Sequence, residues 1–417
     1  MTRLLVVGAG VVGLCTALYA RRRGLDVTLV DRDGPDHLGA SFGNAGMVTP
    51  SHFVPLASPG AVMLGFKWMW NPNAPLFVRP RLSLAFARWL FLFWRSANRA
   101  HVERASPLIR DLNLASRDCY EELAREPGAD FGLDRRGLLM VCTTQHGLDE
   151  EAYAGAMAQR LGLAARVLSR DEARAREPQL RHDIAGAVLH EDDAHLSPDR
   201  FVRWLRATLL REGVQFLWNR EVVGWRVEGG RVLAATTSGA EDLQADEYVA
   251  CGGSWSPGLL HGTGLRLPVE AGAGYTFTVD EPQVQLRQPA ILVERRVAVT
   301  PMGERLRVGG TMELSGMDLG IRHGRSQAIL RSMASYYEPG VVSQFGQVKA
   351  WKGLRPCTPD GVPFIGRVPD LRNLIVATGH AMMGLSLAPI TGKLVGQVMA
   401  GEKTDVAMEL MRVDRFG

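Results

Sequence analysis

The chain has 417 residues, 46% apolar by type and 22% charged, the composition of an ordinary globular protein long enough for two cores. Lys and Arg number 48 and Asp and Glu 44, and the resulting net charge of +4 is too small and too dispersed for a nucleic-acid surface. The five cysteines, Cys15, Cys119, Cys142, Cys251 and Cys357, are scattered, which excludes a disulfide scaffold or a thiolate metal centre and fits a reducing, cytoplasmic compartment. No stretch reaches about 18 uncharged apolar residues, so no membrane span is expected.

The chain opens on a short apolar run, Leu4 to Val7, that breaks into Gly8-Ala9-Gly10-Val11-Val12-Gly13 and continues as an apolar helix. That order is strand, tight turn, helix. It argues against a signal peptide, as does the lack of a cleavage site. Gly8 allows the sharp turn, Gly10 leaves the backbone open to a pyrophosphate, and Gly13 lets helix and strand pack closely. The helix start supplies free N–H groups and a positive dipole end. Residues 25–30 form a second buried strand, and Asp31 at its end stands where an acid accepts from both hydroxyls of an adenosine ribose. A glycine turn with a solvent-facing Asp31 is the bland alternative, and the order of strand, helix, strand and acid favours a dinucleotide.

A run of small residues over 40–50 then lets backbone lie against a flat ligand, unless it is merely a flexible connector. Helical spacing covers 61–99 and again 107–125. Between residues 66 and 95, Phe66, Trp68, Trp70, Phe77, Phe86, Trp89, Phe91, Phe93 and Trp94 alternate with Lys67, Arg79, Arg81, Arg88 and Arg95. Such a segment suits either peripheral contact with a membrane interface or buried helix packing.

A strand is expected over 137–142, with helices over 149–161 and 169–177. Ser197-Pro198-Asp199 starts a helix over 201–212, which leads to a strand at 214–217. Two strands, 221–227 and 231–237, join across Gly229-Gly230, and a further strand ends in a glycine turn at Gly252. From 267 to 310 the pattern alternates, as in an antiparallel sheet. A helix over 323–337 follows. The chain closes on a strand at 374–378, a turn from Gly379 to Gly384 and a helix over 385–401.

Three glycine turns from the beginning, middle and end of the chain point to a nucleotide-binding unit built from separated segments. Two features favour FAD over NAD. The fingerprint lies at the extreme N-terminus, and the turn from Gly379 to Gly384 offers a second helix start for the pyrimidine end of an isoalloxazine, whose reduced form is anionic there.

Over nearly its whole length the chain resembles bacterial FAD-dependent D-amino acid dehydrogenases, in the wider family that holds glycine oxidase, sarcosine oxidase and D-amino acid oxidase. The resemblance rests on the first fingerprint, Gly43-Asn44-Ala45-Gly46 with Pro50 and Ala57-Ser58-Pro59-Gly60, and Arg307-Val308-Gly309-Gly310. It continues through Gly353-Leu354-Arg355-Pro356, Thr358-Pro359-Asp360-Gly361, Gly379-His380 and Gly384. It implies an α/β plus α+β architecture: a discontinuous Rossmann-like FAD-binding domain over 1–58, 196–265 and 348–417, and an antiparallel-sheet substrate domain over 59–195 and 266–347.

By the same resemblance Gly8, Gly10, Val11, Val12, Gly13, Asp31, Arg32 and Ser41 hold the ADP part. Asn44, Ala45, Gly46 and Met47 pass near the isoalloxazine, the Val222 backbone meets adenine, and Gly252 and Trp255 stand at the second strand end. Gly379, His380, Met382, Met383, Gly384, Leu385 and Ser386 approach the pyrimidine edge. Arg355 matches the arginine that pairs with the substrate carboxylate; a guanidinium fork can grip a carboxylate and fix its Cα–H, although a structural ion pair would use the same residue. Tyr275 is a candidate second carboxylate contact. His52 lies in a flavin-adjacent stretch, where a lone histidine is as often structural.

The implied activity is oxidation of the Cα–N bond of a D-amino acid to an imine, then to a 2-oxo acid and ammonia, with electrons passed to a quinone or other electron-transfer partner. Ala273, where the close dehydrogenases carry a longer and often basic residue, and the run 382–389 keep a second substrate class open. That class is a secondary amino acid such as cis-4-hydroxy-D-proline or an N-substituted glycine. The expected location is cytoplasmic or peripheral on the inner face of the cytoplasmic membrane.

Overall fold

The opening apolar run forms the strand Arg3–Val7, held between two parallel partners, Asp26–Val30 and Glu247–Ala250. The computed structural model describes residues 1–37, 39–60, 75–239 and 241–417. Among these, six strands make one sheet in the order Phe364–Val368, Leu371–Thr378, Glu247–Ala250, Arg3–Val7, Asp26–Val30, Gln215–Leu217. All pairings are parallel except that of the first two strands. The central strands are continuously apolar because both faces are covered. Leu4, Val6, Val27 and Leu29 pack on the helices Val11–Arg22, Pro198–Arg211 and Ala388–Ala400, whereas Leu5, Val7 and Tyr248 pack on Trp225, Val232 and Leu259. The hairpin Val222–Glu228 and Arg231–Thr237 therefore lies over this sheet rather than in it.

A second sheet has nine strands among the described residues. Its longest strand, Glu270–Asp280, is antiparallel both to Arg305–Leu314 and to the edge strand Trp351–Cys357. The sheet is antiparallel except where Ala290–Leu292 meets Leu138–Cys142 and where Leu76–Val78 meets Arg305–Leu314. Alternation along the strands gives it two unlike faces. Tyr275, Phe277, Val279, Leu306 and Val308 pack against Ile329, Leu330, Met333, Tyr336 and Tyr337. Gly274, Thr276, Thr278, Arg307, Gly309 and Arg355 share the opposite face, where Arg307 donates through Nη1 to the Phe42 and Asn44 carbonyls at 2.9 and 2.7 Å.

Two helical expectations shift. Within 61–99 the described part holds a short strand, Leu76–Val78, and the helix Leu84–Ser96; residues 61–74, with Phe66, Trp68 and Trp70, lie outside the described residues. The helix expected to begin at Pro107 instead runs as Arg99–Ala124 with Pro107 inside it. An interior proline costs about 3 kcal/mol, but Ala105, Leu108, Ile109, Leu112, Tyr120 and Leu123 are all buried along this helix, and their packing outweighs the local penalty. No helix among the described residues is long and apolar enough to cross a membrane.

The last helix crosses the first at Gly392, where an added Cβ would lie 2.5 Å from the Cys15 carbonyl carbon and 2.9 Å from the Thr16 nitrogen. Backbone cannot yield as a flexible side chain does, so Gly392→Ala is expected to destabilise the protein by about 2 kcal/mol. A melting temperature equal to that of the unsubstituted protein would contradict this contact.

Candidate active site

The glycine fingerprint separates what the chain needs from what a ligand needs. A Cβ at Gly8 would meet the Cys251 carbonyl oxygen at 2.5 Å, and one at Gly13 would meet the Gly8 carbonyl oxygen at 1.9 Å. Those two glycines are demanded by the packing of strand and helix. At Gly10 a Cβ would meet nothing nearer than Ser41 Oγ at 3.6 Å, so the fold itself tolerates a side chain there. Open space over Gly10, at a helix start with no acid in its first turn, fits a pyrophosphate laid on the backbone. Val11 N–H donates to Ser41 Oγ at 3.0 Å, which places Ser41 at that helix start. Val12 follows Val11 in the first turn of the helix.

Asp31 stands where expected, its two carboxylate oxygens accepting from the Ala9 and Asp33 N–H groups at 2.6 and 2.9 Å. Each oxygen keeps a lone pair for a ribose hydroxyl. The Arg32 guanidinium stacks over the Trp255 ring at 4.1 Å, and Arg220 N–H donates to the Asp31 carbonyl at 2.9 Å, bringing the chain into Val222 beside the acid. Gly252 follows Cys251, whose N–H donates to the Val7 carbonyl at 2.8 Å. The first and second strand ends therefore converge, and the described residues fit the ADP half of a flavin dinucleotide.

The remaining predicted cofactor residues gather in a second group. Asn44 Oδ1 accepts from Gly46 N–H at 2.9 Å, curling the small-residue run, and Met47 pairs with His195. Ala45 lies within that curl. Ser386 Oγ accepts from Thr49 N–H at 3.2 Å and donates to Asn113 Oδ1 at 2.6 Å, joining this run to the turn that follows Gly379. Tyr120 donates to the Leu385 carbonyl at 2.7 Å. Met382 is half exposed and Met383 lies against the helix bearing Asn113, whose Nδ2 approaches its sulfur at 3.9 Å, while Gly384 ends the short turn Ala381–Met383. His380 is buried, bonded through Nε2 to Thr391 Oγ1 at 3.0 Å, and burial holds its pKa down to about 4. It is held neutral beside the last helix start.

Arg355 and Tyr275 are not brought together. In the register of the two strands Tyr275 stands opposite Lys352 and Arg355 opposite Gly272, so their side chains leave opposite faces of the sheet. Tyr275 is fully buried, its hydroxyl donating to Glu313 Oε2 at 3.1 Å. Arg355 lies flat on Gly274, where a Cβ would stand 2.2 Å from both terminal nitrogens. It makes one hydrogen bond, from Nη1 to the Thr311 carbonyl at 2.8 Å, and no carboxylate pairs with it among the described residues. Burial pulls its pKa below the ordinary value. Sequence reading identified Arg355 but missed the slot at Gly274 and the carbonyl of Thr311, because a strand residue such as Thr carries no signal of either role.

His52 belongs to a cluster that the sequence did not reveal. Ser51 donates through N–H and Oγ to Asp193 Oδ1 and Oδ2 at 3.0 and 2.5 Å, and His52 Nδ1 lies 3.1 Å from Ser51 Oγ. Burial lowers the His52 pKa to about 4, with His190 and Arg296 adding to the effect, and raises that of Asp193 to about 7 against the two bonds from Ser51. Native Asp193 thus keeps a proton that the unfolded chain releases near pH 3.8, and stability falls as pH rises from about 4 to about 7. The neutral histidines contribute a slope of opposite sign, which cancels when a variant is compared with the parent. Asp193→Asn should therefore gain thermal stability relative to the parent between pH 4.5 and pH 8. A difference that does not change with pH would show that Asp193 titrates normally.

The family profile described as FAD dependent oxidoreductase matches residues 3–398. D-amino acid dehydrogenase of Methylobacterium nodulans is 34% identical over 424 residues, covering 99% of each chain, and that of Granulibacter bethesdensis is 33% identical over 427 residues, again covering 99% of each. Among solved structures, glycine oxidase from Geobacillus kaustophilus aligns over 100% of this chain and 99% of its own with a TM-score of 0.79 at 23% identity. L-proline dehydrogenase from P. horikoshii aligns over 100% of this chain and 97% of its own with a TM-score of 0.76 at 16% identity. These structures share its fold. Matched by the profile over most of its length and by relatives over nearly all of it, this chain belongs to the FAD dependent oxidoreductase family.

Proposed function

We propose that the protein oxidises the Cα–N bond of D-amino acids to the imine, which water hydrolyses to a 2-oxo acid and ammonia, and that the electrons leave to a quinone or another carrier. The observation that carries this reading is the Arg355 guanidinium, partly buried in its slot with one carbonyl as partner and no carboxylate among the described residues. A partly desolvated cation without a counter-ion is costly, and a substrate carboxylate bound by two parallel hydrogen bonds would relieve the cost. Arg355 thereby fixes the Cα–H, since the α-carbon is one bond from the gripped group. Bound flavin supplies the acceptor for the hydride. The names of the relatives support the D-amino acid as substrate class, and 1–58, 196–265 and 348–417 serve as the flavin-binding unit with 59–195 and 266–347 as its cover. The strand Trp351–Cys357 reaches from the former into the nine-stranded sheet.

Arg32, Trp255 and Val222 would flank the adenosine, the fingerprint and Ser41 the pyrophosphate, and residues 44–47 with 382–386 the isoalloxazine. Peripheral membrane contact through 66–95, on the inner face of the cytoplasmic membrane, completes the proposal. In its described part, Phe86, Trp89 and Leu92 are buried, whereas Leu84, Leu90, Phe91 and Trp94 are exposed on the other side of the helix beside Arg88 and Arg95. No Asp or Glu occurs from residue 59 to residue 102, so an anionic lipid surface meets no like charge there.

Anaerobic addition of D-amino acids should bleach the flavin absorbance, and Arg355→Ala should raise KM at least 100-fold while the flavin stays bound. Bleaching by cyclic or N-substituted amino acids alone would shift the substrate to that class, and no bleaching by any of them would end the dehydrogenase reading. With liposomes containing anionic lipid, the protein should pellet and the Phe91→Glu/Trp94→Glu double variant should stay in the supernatant with its activity towards a soluble dye intact. Equal pelleting of both would place the contact elsewhere.

A further inference from the structure

The strand Arg305–Leu314 breaks its register opposite Gly274: Tyr275 pairs with Gly310 and Ala273 with Glu313, so Thr311 and Met312 together face one residue. This is a β-bulge, and its first residue, Thr311, has a left-handed backbone with φ of 59°. Glycine is the usual occupant of that conformation, and a β-branched residue is among the least suited to it. A strained backbone of this kind persists where the surroundings require it and clusters at ligand sites. The consequence is specific. The Thr311 carbonyl is turned to Arg355, accepting from Nη1 at 2.8 Å. The Thr311 hydroxyl, on the same residue, is buried with no hydrogen-bond partner among the described residues. A buried hydroxyl left unpaired is costly, and it belongs to the residue whose carbonyl meets the Arg355 guanidinium.

We propose that Thr311 is a second binding residue for the substrate carboxylate: the bulge carbonyl sets the orientation of the Arg355 fork, and the Thr311 hydroxyl donates to the carboxylate that the fork holds. The inference rests on the carboxylate role of Arg355 and extends it. It also explains why threonine occupies a position where glycine would be less strained. Glycine would supply the carbonyl but not the hydroxyl.

The test uses the flavin-loaded protein and compares Thr311→Val, Thr311→Ser and Thr311→Gly. The readouts are KM and kcat for a D-amino acid and the Kd of benzoate, a carboxylate without an amine, from its perturbation of the flavin spectrum. Thr311→Val keeps the branched shape and loses the hydroxyl, so KM and Kd should each rise about 10-fold with kcat within twofold of the parent. Thr311→Ser should restore both to within about threefold of the parent. Thr311→Gly should melt at a higher temperature yet bind benzoate about 10-fold more weakly, a combination that a purely structural role would not produce. Should Thr311→Val fail to fold, the glycine variant decides alone. Unchanged KM and Kd in the valine and glycine variants, with Arg355→Ala still impaired, would overturn the role of Thr311 and leave that of Arg355. Unchanged binding in all, Arg355→Ala included, would overturn both.

Discussion

The nine-stranded sheet is tied to the small-residue run by a guanidinium. Arg307 projects from the strand Arg305–Leu314 of the nine-stranded sheet, takes Thr278 Oγ1 with Nε at 2.9 Å, and holds the Phe42 and Asn44 carbonyls with Nη1. It is 4% exposed. Burial draws its pKa down to about 10 against the pull of Asp199, so it remains a cation at neutral pH, fixed by neutral carbonyls on one side and a nearby acid on the other. Because the backbone at 42–46 is gripped directly, the face bearing Gly274, Thr311 and Arg355 is set over the small-residue run. Ser386 ties that run in turn to the last glycine turn. The geometry of the candidate site thus depends on where one charged side chain ends.

The sheet also separates two electrostatic environments. On the side of Tyr275, Glu313 is fully buried between Arg322 and Arg325, each at 3.2 Å, with the Tyr275 hydroxyl donating to it and Lys352 poised 5.6 Å from the Tyr275 ring. Charge there is compensated within the protein. On the opposite face no carboxylate pairs with Arg355 among the described residues, although the two clusters stand only one strand register apart. A partly desolvated cation without a counter-ion favours an anionic ligand, whereas a compensated one does not.

Much of the site was legible from local pattern. The order of strand, glycine turn, helix, strand and Asp31 is a local code whose parts lie within about 30 residues, and it is read correctly because each part has a steric or hydrogen-bonding reason. The motif Gly353-Leu354-Arg355-Pro356 singled out Arg355, and the structure lays that side chain on Gly274. Tyr275 was misjudged because a one-residue step along a strand reverses the face, and only pairing with Lys352 rather than Arg355 reveals which face it takes. Pro107 was read as a helix start for its local preference, which burial of the whole helix Arg99–Ala124 overrode.

The sequence by itself determined the cofactor class and the discontinuous course of the nucleotide sheet, since each follows from short-range chemistry written into contiguous residues. Only the tertiary structure decided which side chains share the space around Arg355. The Gly274 slot, the left-handed Thr311 and the chain from Asp193 through Ser51 to His52 join residues dozens to more than a hundred positions apart. Such contacts arise from strand register and sheet packing, and neither composition nor spacing records them.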